Sequence, residues 1–170
     1  MRPLFGIGLH LGLGFDDFSS GLGGGGAAGT GAGGLGAYLR LGAQLDDPLG
    51  IEAEIDGGTL YLVSYTRGAL TFDYTPADWF TVAVGPSTRV DYLVNCGGSG
   101  ATTVESIGGT VRLDFHVEPF RARTGRDALT VGLVGDLGET VGSNDGSGRP
   151  LAAPGGVAWG LYATVGWAHY

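Results

Sequence analysis

Lysine is missing from this chain, and all nine basic residues are arginines. Soluble β-proteins guard sheet edges with charged side chains, lysine above all. Its absence favours a chain with no edges and little solvated wall. Cysteine is down to one, Cys96, which excludes an internal disulfide and a CxxC metal site. Nothing cationic flanks that thiol to activate it. No run of about 18 apolar residues exists, so no transmembrane helix is encoded. Positive charge is scarce: the net charge is −8, which argues against nucleic-acid binding, since that needs clustered cations. Glycine, by contrast, supplies 36 of 170 residues, against a usual share of ~7%. The 43% hydrophobic content argues against disorder over most of the length, and 170 residues suit one domain.

The segment Leu4 to Phe15 explains how glycine and apolar bulk coexist. Phe5, Ile7, Leu9, Leu11, Leu13 and Phe15 share one parity, while Gly6, Gly8, His10, Gly12 and Gly14 share the other. A period of two means a strand. One face is a continuous apolar stripe, and the opposite face is nearly bare backbone with one polar ring. That economy suits a small closed barrel in lipid, bulky outside and small or polar inside.

The same alternation recurs along the chain. Strands are expected at 34–45, from about 49, up to Thr75, from Trp79 to Leu93, at Thr110–Val117, at Ala128–Asp136 and at Val157–Tyr170. Glu52, Glu54 and Asp56 share one parity, which three acids assign to the lumen. Asp46-Asp47-Pro48 and Pro76-Ala77-Asp78 read as tight turns. The register of 59–65 is open because both parities are apolar; a hairpin tip between Val63 and Gly68 gives strands of similar length. Pro86 is expected to mark a bulge or the strand leaving the membrane. Glu118 to Asp127, with Arg121, Arg123 and Arg126, reads as a polar turn. Gly-rich stretches at about 16–33 and 138–156 read as long external loops.

The fold class expected is all-β: a single eight-stranded antiparallel up-and-down transmembrane barrel, one domain over 1–170. Connections alternate long and short as in outer-membrane barrels, with both termini on the periplasmic side. In this pattern and topology the chain resembles the eight-stranded outer-membrane barrels of the OmpA/OmpX type. The end of the chain, Trp159 to Tyr170, is similar to the terminal strand read by the barrel-assembly machinery. The phase differs, because Trp159, Leu161, Val165 and Trp167 lie off the parity of Tyr170. The resemblance implies a Gram-negative outer membrane, a lipid-bilayer partner and a monomer. The start, Met1-Arg2-Pro3, has no signal-peptide apolar region, so a mature exported chain with an added Met is expected.

The candidate lumen network is His10, Tyr38, Arg40, Glu52, Glu54, Asp56, Asp73, Arg112, Asp114 and His116. Buried charges must pair, and a narrow barrel has just enough room for such side chains. Folding about Asp46–Pro48 puts Arg40 opposite Glu54 and Gly42 opposite Glu52. Arg40 and Arg112 are expected to bridge the acids and close the lumen. Five acids against two arginines imply that His10 or His116 is charged, or that an acid holds a proton. Leu9, Leu11, Leu39, Leu41, Leu113, Leu133 and Leu161 are the expected lipid-facing residues. Tyr74, Trp79, Phe80, Trp159 and Trp167 form the expected aromatic girdle, with Phe120 beside them. No catalytic residues, metal ligands or cofactor are assigned: His10 has no serine near it on its parity, and no nucleophile–base pair can be placed. The expected function is a non-enzymatic membrane barrel with a structural or surface-interaction role. The alternatives are a lipid-modifying enzyme on the same barrel and a soluble lipocalin-like barrel with the parities inverted.

Overall fold

The computed structural model describes residues 2–17, 29–60, 63–94, 101–120, 127–144, 150–152 and 156–169. The strands are β1 (Arg2–Asp17), β2 (Gly29–Asp46), β3 (Leu49–Leu60), β4 (Val63–Ala77), β5 (Phe80–Val94), β6 (Ala101–Phe120), β7 (Asp127–Asn144), the three-residue β8 (Pro150–Ala152) and β9 (Val157–His169). Consecutive strands pair antiparallel from β1 to β7, β9 pairs with β7, and β9 also pairs with β1. The sheet therefore closes on itself as an eight-stranded barrel, with β8 a short appendage on β7.

The pairing also fixes the tilt. One circuit starts at Gly6 and passes through Arg40, Glu54, Ala69, Ser87, Gly108, Gly138 and Ala158. It returns to β1 at Asp16, ten residues further along. A shear of that size over eight strands sets them at roughly 35–45° to the axis and gives a bore that side chains can fill. Both ends of the wall are thereby defined. Arg2, His169 and the turns at 47–48 and 78–79 lie at one end, here the turn end. Asp17, Gly29, Leu60, Val63, Val94, Ala101 and Asn144 lie at the other, the loop end.

Several expected boundaries move. Leu60 pairs with Val63 and β4 begins there, so the β3–β4 tip is not between Val63 and Gly68. Arg67 is therefore inside a strand. β5 runs to Val94, one residue past the expected Leu93, and Pro86 marks no bulge: it stands opposite Gly109, with the register unchanged on either side. Only the β4 ladder is interrupted there, between Ala69–Ser87 and Phe72–Val84, as expected where a residue has no N–H to donate. β6 begins at Ala101 and continues through Phe120, so Glu118–Phe120 is strand. β7 reaches Asn144 and β2 begins at Gly29, so the ladder enters both stretches read as loops. The remainder of those loops, Cys96, Arg121, Arg123, Arg126 and Tyr170 lie outside the described residues.

Alternation sorts the wall into two faces. β9 reads exposed-buried along nearly its whole length. Outward residues are apolar almost without interruption: Leu9, Leu11, Leu41, Leu133 and Leu161 are exposed, with Leu11 at 63%, and Leu39 and Leu113 are partly covered by neighbours on the same face. Among the described residues, the exposed acids on this face are Glu105 and Glu139, toward the loop end. Tyr74, Trp79, Phe80 and Trp167 stand outward near the turn end, where Phe80 and Phe115 rings are 5.1 Å apart and Trp79 stacks on Phe115 at 6.3 Å. Trp159 is outward as well but at the opposite end, paired with Phe15.

Candidate functional site: the charged lumen

The inward face is the place where chemistry is concentrated. Period-two alternation turns every second residue of β2, β3, β4 and β6 inward. All ten residues singled out from the sequence, His10 to His116, are buried there. The structure joins most of them into one ionic cluster. Arg40 Nε donates to Glu54, and its Nη1 reaches Asp114 at 3.0 Å. Arg112 donates through Nη2 to Glu52, and to Asp73 at 2.9 Å. Its Nη1 meets Glu54 at 3.1 Å and its Nε lies 2.8 Å from Asp114. Arg40 is opposite Glu54 in register and Gly42 opposite Glu52. Planar guanidinium forks suit this geometry, since each presents several donors to carboxylates on different strands.

Sequence reasoning missed the second half of the network. Arg67 donates to both Glu54 and Asp56, reaches Asp136 at 2.8 Å and bonds Thr110 Oγ1 at 2.7 Å. With the hairpin tip misplaced, it had been assigned to a turn. Arg89 binds Asp91 Oδ1 at 2.7 Å and the Tyr162 hydroxyl at 3.1 Å. It lies within the strand expected from Trp79 to Leu93, and its shared parity with Thr81, Ala83 and Gly85 is the signal that places it inward. Among the described residues the lumen thus sets Arg40, Arg67, Arg89 and Arg112 against Glu52, Glu54, Asp56, Asp73, Asp91, Asp114 and Asp136. The network is larger than the sequence suggested, but the excess of acids over arginines is the same.

His10 belongs to an aromatic layer nearer the loop end. The Tyr65 hydroxyl lies 3.0 Å from its Nε2, and the Tyr162 ring is 5.4 Å away. Tyr38 lies under Arg40, whose guanidinium carbon is 4.1 Å from the ring centre. The strands opposite these rings carry glycine because nothing larger fits. A Cβ at Gly8 or Gly166 would collide with the Tyr38 hydroxyl, one at Gly12 or Gly160 with the Tyr162 ring, and one at Gly36 with His10.

His116 lies near the turn end, beside a cavity of about 90 Å³ walled by Arg40, Glu52, Asp73, Arg112 and Asp114. Its Nε2 is 2.9 Å from Thr81 Oγ1, which is itself 2.8 Å from Thr75 Oγ1. A hydroxyl–imidazole pair therefore exists where none could be placed from the sequence, because threonine was not weighed as a nucleophile. The Thr81 hydroxyl is shared with a second hydroxyl, and the pair lies at the end opposite the loops. Among the described residues no group of three or more His, Cys, Asp or Glu side chains could hold a metal ion.

No family model and no curated protein matches the chain. Solved structures do, among them the following two. Neisserial surface protein A is 14% identical, with 96% of this chain and 95% of that chain covered and a TM-score of 0.53. Ail, the attachment invasion locus protein of Yersinia pestis, is 9% identical over 100% of both chains, with a TM-score of 0.54. At such identities the likeness is one of fold. The chain has the closed eight-stranded antiparallel barrel of outer-membrane proteins of this kind.

Proposed function

We propose that this chain is an integral outer-membrane barrel with a closed, ion-paired lumen and a non-enzymatic structural or surface-interaction role. The observation that carries the reading is the sorting of the two faces. An outward wall of exposed Leu, Ile, Val, Phe and Trp surrounds an inward wall whose charges are buried. In water that wall would be an apolar patch far beyond the few hundred Å² that soluble monomers expose. In lipid it is the expected solvent-facing surface, and a closed barrel leaves no backbone group unpaired. A soluble lipocalin-like barrel would need the Leu stripes inside, and they are outside. The loop end then faces the cell exterior.

The enzymatic alternative has one specific feature in its favour, the Thr81–His116 pair. Its position at the turn end, away from surface lipid under this orientation, and its buried hydroxyl argue for a packing role. Two measurements test the proposal. Unboiled protein should require detergent for monodispersity and migrate differently from boiled protein on a gel. Thr81→Val should keep both properties and release no fatty acid difference relative to wild type when incubated with phospholipid or lipopolysaccharide. Lipid hydrolysis by the wild type that Thr81→Val abolishes would replace this reading with the enzymatic one.

A further inference from the structure

Three cavities follow one another along the barrel axis, of about 90, 10 and 20 Å³ from turn end to loop end. Arg40 borders the first and the second, and Arg67 borders the second and the third. The middle cavity is the informative one. Arg40, Asp56 and Thr164 are three of its wall residues, exposed by 3%, 5% and 5%. Each carries a buried polar atom that has no hydrogen-bond partner among the described residues: Arg40 Nη2, Asp56 Oδ1 and Thr164 Oγ1. Buried polar groups in folded proteins are almost always satisfied, so these three define a demand for a ligand.

The chemistry of the set selects that ligand. A metal cation is disfavoured by the guanidinium N–H group, and an anion by the carboxylate. A molecule that both accepts and donates satisfies all three: it accepts from Arg40 Nη2, donates to Asp56 Oδ1, and donates to or accepts from Thr164 Oγ1. A site for water needs roughly 10–15 Å³ and about three polar partners; this cavity, of about 10 Å³, has those three residues in its wall. We propose that the space between Arg40 and Arg67 is a specific binding site for a single ordered water molecule. It ties β2, β3 and β9 together across β1, whose lumen face there is glycine on either side of His10. The site rests on lumen geometry alone and not on the membrane placement.

A high-resolution crystal structure of the wild type tests this. One solvent peak within about 2.7–3.2 Å of Arg40 Nη2, Asp56 Oδ1 and Thr164 Oγ1 is expected. Thr164→Ser, which keeps the hydroxyl, should retain the peak; Thr164→Val should lose it or shift it off position. Direct pairing of Arg40 Nη2 with Asp56 Oδ1, with no solvent between them, would overturn the site. So would an unchanged peak in Thr164→Val. If Thr164→Val does not fold, the wild type and Thr164→Ser still decide the matter.

Discussion

The two sides of the lumen are built on opposite principles. β1 presents mostly glycine inward, Gly6, Gly8, Gly12 and Gly14, and β9 presents mostly small residues around Tyr162: Ala158, Gly160, Thr164, Gly166 and Ala168. β3, β4 and β6 present Glu52, Glu54, Asp56, Arg67, Asp73, Arg112 and Asp114. One wall supplies mainly backbone and space, the other mainly charged side chains. Neither works alone, because interiors are close-packed and a filled bore must be filled once. The glycines are therefore a steric complement to the arginines and tyrosines, and the high glycine content is spent partly on the barrel wall and not solely on loops.

That contrast predicts different failures for the two walls. On the charged wall, Arg112→Ala removes the arginine that binds Glu52 and Asp73 and one of the two that bind Asp114. Removing one partner of a buried pair costs about 3–5 kcal/mol. Urea unfolding in detergent micelles should show a loss of that order. A loss no larger than that of an outward Leu133→Ala would mean that the network carries little of the stability. The outer wall is next: Leu113→Arg or Leu39→Arg should destabilise by about 2–4 kcal/mol near the bilayer midplane. Wild-type folding yields into vesicles for both variants would invalidate the assignment of faces. On the glycine wall, Gly12→Val and Gly36→Val overpack the Tyr162 and His10 rings, with an expected loss of about 1–3 kcal/mol. Gly135, with open space around its Cβ direction, is the control, and Gly135→Ala should fall within about 0.5 kcal/mol of wild type, as substitutions away from packed sites do. Equal effects at Gly12 and Gly135 would erase the steric distinction between the walls.

Much of this was legible before any coordinates. Leu4–Phe15 and Val157–Trp167 alternate without a break, so their faces follow from strand periodicity. The acids of β3 announce the lumen, and the Asp46–Pro48 turn sets the Arg40–Glu54 register. What failed did so for physical reasons. Leu60 to Val63 is apolar on both parities, so nothing there marks a hairpin tip, and Arg67 was lost with the register. Thr102 to Ser106 and Gly138 to Asn144 are strands beyond or near the edge of the apolar belt. There the outward face carries Glu105 and Glu139, and strand and loop compositions converge. Pro86 reads as a bulge or the strand leaving the membrane, but an outward proline interrupts one ladder without shifting the register. Arg89 and Asp91 follow it in the same expected strand, on the inward parity, and the expected lumen set omits them.

The most direct test of the central claim uses the natural tryptophans. Trp79, Trp159 and Trp167 all stand on the outer wall, exposed by 60%, 40% and 41%. Protein reconstituted into vesicles containing phosphatidylcholine brominated on its acyl chains should show strong quenching of tryptophan fluorescence, with aqueous acrylamide quenching much less. Strong acrylamide quenching without any effect of the brominated lipid, from protein monodisperse in detergent-free buffer, would contradict the account.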